Sequence, residues 1–183
     1  MSQVNFSSTS SVSFGELGPT TSLQLMFAKL QLELAGTAKT QAMDKMDAIA
    51  KAQDEQKLVS QLLNEARQAQ ADGNSGTGVG LTSINGVTVT GKDCYPMSQK
   101  MVDYMDAHQL AYPNGDGDYI LGKDEWDVAI TSLEGRLEEL GTGTQQEMVY
   151  VQDYMGQYNS YLQGANTQIA NSNQTLTNLA RGQ

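Results

Sequence analysis

From Met148 to Leu179 a residue that can be buried stands at every third or fourth position. Met148, Val151, Met155, Tyr158, Leu162, Ala165, Ile169, Ser172, Leu176 and Leu179 follow one another in alternating steps of 3 and 4, and only Ser172 is polar. This spacing predicts the seam of a helix that lies along another helix. Thr144-Gln145-Gln146-Glu147 fits a capping box and predicts where that helix starts.

A second long helix is predicted from about Thr21 to Ala71, where there is no proline, Gly36 is the only glycine, and Ala, Leu, Met, Gln and Glu dominate. Its first turns are strongly apolar: Leu23, Leu25, Met26, Phe27, Leu30, Leu32 and Leu34. Beyond Gly36 a softer heptad runs through Ala38, Ala42, Ile49, Ala52, Val59, Leu63 and Ala66, interrupted by Lys45 and Gln56. A seam of such small residues needs a bulkier partner, and the Tyr- and Met-bearing C-terminal seam supplies one. The expected fold is mainly α: a long antiparallel coiled-coil hairpin of the N- and C-terminal helices, forming one domain over residues 21–183.

Between the two helices, about residues 72–122, the composition changes and predicts a small inserted module. Gly73, Gly76, Gly78 and Gly80 form a flexible stretch, and Leu81 to Val89 alternates around Asn85-Gly86, which predicts a β-hairpin. Pro96 suits the first turn of a short helix carrying Met97, Met101, Val102 and Met105. Asp124 can open a helix with Trp126, Ile130, Leu133, Leu137 and Leu140 on one side, and Gly141 and Gly143 predict a break before the final helix. Residues 1–22 hold ten Ser or Thr and no charge before Glu16, and are expected to be disordered.

Composition narrows the partners. The net charge of −10 and the absence of any basic cluster argue against nucleic acid, whose phosphates need grouped Lys and Arg. One cysteine, Cys94, excludes an internal disulfide, and no 18-residue apolar run predicts a membrane span. His108 is the lone histidine and reads as an exposed polar residue. With no phosphate-binding loop and no credible catalytic set, the chain does not read as an enzyme.

One local pattern has the spacing of a cation site. In the stretch Asn114 to Glu125, Asn114, Asp116 and Asp118 occupy alternate positions, Ile120 would offer its carbonyl, and Glu125 stands twelfth. Hard oxygen ligands so spaced are what calcium takes in a helix–loop–helix. Position six, normally glycine, is Tyr119, at a steric cost of about 1 kcal/mol or more. Two readings stay open: a calcium-binding interaction module, or a solvated acidic turn that caps the following helix.

Leu140-Gly-Thr-Gly-Thr-Gln-Gln-Glu-Met148 and Val151-Gln-Asp-Tyr-Met-Gly-Gln-Tyr158-Asn159-Ser160 resemble the C-terminal helix of hydrophilic translocators of bacterial type III secretion systems, the needle-tip proteins of the SipD, IpaD and LcrV types. The layout, with its apolar opening Leu23-Gln-Leu-Met-Phe27, a central segment from Pro96 to Leu110 and a long terminal helix, is more similar to the EspA and SseB filament proteins. The resemblance implies that residues 1–20 are an uncleaved Ser/Thr-rich export signal and that a dedicated chaperone covers the coiled coil before export. It further implies a secreted protein at the bacterial surface that self-associates on the needle protein as a filament or tip and works with the hydrophobic translocators. The acidic loop maps onto no motif of that family. On this reading the interface residues are Met148, Val151, Met155, Tyr158, Leu162, Ile169, Leu176 and Leu179.

Overall fold

The computed structural model describes residues 23–182; the export signal and disorder expected for the N-terminal segment lie outside them. Among these described residues the chain is mainly helical, with three helices and one small antiparallel sheet. Helix α1 spans Leu23–Asn74, strand β1 Cys94–Pro96, helix α2 Gln99–Ala107, strand β2 Ile120–Gly122 and helix α3 Lys123–Arg181. The described residues divide into two compact units, one made of 23–42 together with 152–182, the other of Met43–Val151.

Within Met43–Val151, α1 and α3 run antiparallel, as their ion pairs show: Lys45 meets Glu147, Glu55 meets Arg136 and Arg67 meets Glu134. The core lies where α2 and the sheet close against them. Leu62 and Val59 of α1, Met101 and Met105 of α2, Leu121 of β2, and Trp126 and Leu133 of α3 are fully buried there. The residues that break the α1 heptad are accommodated by polar groups of α3. Lys45 Nζ lies 2.9 Å from Glu147 Oε2 and 5.3 Å from the centre of the Tyr150 ring, and Gln56 Nε2 donates to Thr144 Oγ1 at 3.5 Å.

Helix α3 corrects the expected break. It runs without interruption through Gly141 and Gly143, so Thr144 is an interior residue and not a cap. Its hydroxyl donates to the Leu140 carbonyl at 2.8 Å, a bond along the helix, and both residues are buried. A glycine costs a helix interior about 1 kcal/mol relative to alanine, less than burial of large neighbours returns. The true start of α3 is Lys123, where Glu125 Oε2 accepts the Gly122 amide at 2.8 Å and closes the first turn.

The inserted module departs from expectation in two places. Asn85-Gly86 does turn the chain, with Gly86 at φ +80°, but only Thr82 and Thr88 form a β-bridge. The ladder proper joins β1 to β2, pairing Cys94 with Gly122, Tyr95 with Leu121 and Pro96 with Ile120. Pro96 therefore sits in a strand, where it has no amide to donate, and Ser98 caps α2 by accepting the Met101 amide at 3.3 Å.

Candidate assembly surface

In the unit formed by the start of α1 and the end of α3, small side chains are buried and large ones are not. The buried residues are Ala28, Ala35, Ala38 and Ala42 on α1, and Ala165 and Ser172 on α3. The Gln31 side chain packs against Gly164, where an added β-carbon would lie 2.5 Å from its Nε2. Small residues permit such approach but bury little apolar area. Leu23, Met26, Phe27, Leu30 and Leu34 remain exposed on α1, as do Leu176 and Leu179 on α3.

The seam predicted from sequence is therefore divided. Met155, Tyr158, Leu162 and Ile169 are half-buried, while Leu176 and Leu179 face solvent. In the other unit Val151 is half-buried, and Met148 is exposed beside Val149 and Tyr150. Only Ala165 and Ser172, the two smallest members of the spacing, are fully enclosed. The apolar stripe at the start of α1 was visible in the sequence, but nothing there indicated that it would stay outside.

The acidic loop uses its oxygens on its own backbone. Asn114 Oδ1 accepts the Tyr119 amide at 3.0 Å, Asp118 Oδ1 accepts the Ile120 amide at 2.9 Å, and Glu125 Oε2 is taken by Gly122. Tyr119 adopts the left-handed conformation the spacing demands, with φ +58°, and its bond to Asn114 offsets the strain. Asp116 is exposed. Asn114, Asp116, Asp118, the Ile120 carbonyl and Glu125 are the groups that would hold a cation here. Among the described residues, no group of three or more His, Cys, Asp or Glu side chains is gathered to hold a metal ion. As it stands, the loop starts α3 and sets the register of β2.

Sequence reasoning missed a polar cluster at Glu55. Its Oε1 accepts the Tyr104 hydroxyl at 2.8 Å and Arg136 Nη2 at 2.7 Å, with His108 Nε2 3.7 Å away. Three helices meet at this oxygen. Burial works to raise the Glu55 carboxyl, but the bonds from Arg136 and Tyr104 hold it below its ordinary value. Burial, then the bond to Glu55, pushes the Tyr104 hydroxyl up to about 12. Cys94 is also raised, by burial and then by the carboxylates of Glu125, Asp93 and Asp118, so its thiol is less reactive than a free one. His108 is exposed, as the sequence predicts, and its ring centre rests 4.3 Å from that of Tyr104.

No protein-family model, curated protein or solved structure matches this chain.

Proposed function

We propose that the chain is a self-assembling structural component of a bacterial type III secretion apparatus, exported to the cell surface and built into a filament or tip through which effectors pass. The observation that carries this reading is the inverted burial of the unit at the two chain ends. Alanines and a serine are enclosed there, while leucines, methionine and phenylalanine face solvent. A monomer with that arrangement leaves its best apolar surface unused, and contiguous exposed apolar residues mark sites of association. The two long helices act as an antiparallel coiled-coil hairpin, with the Met148 to Leu179 face shared between closing the hairpin and joining neighbours. With Gln31 against Gly164, Leu23 stands opposite about Ser172, and Leu176 and Leu179 lie farther along α3, exposed.

A chaperone would cover the same residues before export, and the needle protein and hydrophobic translocators would be the partners afterwards. The test is negative-stain microscopy and light scattering of the purified protein over time. It is joined by a search for the protein in the medium of a secretion-competent strain and of one lacking the export apparatus. Ordered polymers or rings and apparatus-dependent export are expected. A protein that stays monomeric, or that reaches the medium equally in both strains, would refute the reading.

A further inference from the structure

The exposed apolar residues at the start of α1 form a stripe, and it lies where the described chain is nearly uncharged. Leu23, Met26, Phe27, Leu30 and Leu34 are between 39 % and 66 % exposed. At 3.6 residues per turn they fall on one side of α1, about a quarter turn from Ala28, Ala35, Ala38 and Ala42. The stripe is thus a second face of the same helix, distinct from the one closed by α3.

Charge and area identify what would cover it. The charged side chains of this unit among the described residues are Lys29, Glu33, Lys39, Asp153 and Arg181, which nearly cancel. The net charge of −10 therefore falls on residues 43–151. Copies meeting through that acidic part repel one another, whereas copies meeting through the neutral part do not. At about 180 Å² for a fully exposed large apolar residue, the five stripe residues offer on the order of 500 Å². Monomers rarely expose a contiguous apolar patch larger than a few hundred Å².

We propose that Leu23, Met26, Phe27, Leu30 and Leu34 form the surface on which a second copy of this chain docks. The inference rests on the assembly reading above and places the primary contact on α1 instead of the C-terminal seam. Association is then stronger at higher salt, because screening relaxes the repulsion between the acidic parts.

Two experiments on the full chain test it. In sedimentation velocity over a range of concentrations and salt, the double variant Phe27→Gln, Leu30→Gln should associate at least tenfold more weakly than the wild type, with unchanged helicity by circular dichroism. Equal association of wild type and variant would overturn this inference and leave the assembly reading standing. A wild type that is monomeric throughout would overturn both. In the second experiment, Leu30→Cys in a Cys94→Ser background is probed with a maleimide, assembled and dispersed. Protection on assembly alone is expected. Protection in both states would mean that residues 1–22 of the same molecule cover the stripe, and reactivity in both would leave it uncovered; either result overturns the proposal.

Discussion

Glu55 on α1 and Arg136 on α3 are joined by two hydrogen bonds to a single carboxylate oxygen, from Nε at 3.1 Å and Nη2 at 2.7 Å. The pair stands 81 residues apart in sequence, and Arg136 also reaches Glu139 Oε2 at 2.7 Å. It fixes the rotation of α3 against α1 beside the core, and with Tyr104 it draws in α2 as well.

Glu55→Gln should lower stability at neutral pH by about 1–2 kcal/mol, allowing for the partial exposure of both partners. Because the folded carboxyl is held below its ordinary value of 4.5, its contribution is fully present above that pH. It is lost as the pH falls further and the carboxyl protonates in the folded state too. Urea midpoints of wild type and variant, followed by fluorescence of the single tryptophan Trp126, should differ by a constant amount above about pH 5 and draw together as the pH falls below 4.5. A gap that persists unchanged to pH 2 would contradict this linkage.

At the alkaline end the same cluster acts through Tyr104. Its folded value of about 12 lies above the ordinary 10.0, so the contribution is complete below pH 10 and disappears as the pH rises through 12. Thermal melts between pH 9 and 12 should show the wild type losing stability more steeply than Tyr104→Phe. Parallel losses would mean that Tyr104 ionises in the folded protein as it does unfolded.

Glycines separate into those that are needed and those that are not. At Gly36 a β-carbon would meet nothing within 4 Å, so Gly36→Ala should stabilise by about 0.5–1 kcal/mol through the helix preference of alanine. At Gly78 the same atom would be driven into the carbonyl oxygen of Cys94, beside the Tyr95 ring. Backbone cannot yield as a flexible side chain can, so Gly78→Ala should cost on the order of 2 kcal/mol and loosen the loop against β1. Melting temperatures that shift in opposite directions are the expected result; two shifts of the same sign would refute the distinction.

Periodicity revealed the parts of the fold that depend on local burial. Val59, Leu63 and Ala66 were placed in the α1 seam by their spacing and are buried, and Trp126, Leu133 and Leu140 share the buried side of α3. Features set by non-local contacts were not legible. No window of sequence joins Cys94–Pro96 to Ile120–Gly122, because the pairing depends on α2 returning the chain. Gly141 and Gly143 look like a break until Leu140 and Thr144 are seen buried against α1, where packing outweighs propensity. Glu55, Tyr104 and Arg136 belong to three helices and share no spacing that would single them out. The large residues at the start of α1 were read as apolar, but the identity of their partner was not encoded in their order.

The loop from Asn114 to Glu125 yields the last prediction, because two of its carboxylates differ sharply in what they hold. Glu125 accepts the Gly122 amide in the first turn of α3, directly after the strand whose Leu121 is in the core, whereas Asp116 is exposed. Losing the cap should cost Glu125→Ala about 1 kcal/mol, and Asp116→Ala should cost less than about 0.5 kcal/mol. Since Asn114, Asp118 and Glu125 already engage backbone amides, millimolar calcium should leave the melting curves of the wild type and both variants in place. A calcium-dependent rise in the wild type that vanishes in Asp116→Ala and Glu125→Ala would mean that these oxygens exchange their amides for a cation. The loop would then be a calcium-responsive element and not a helix start alone.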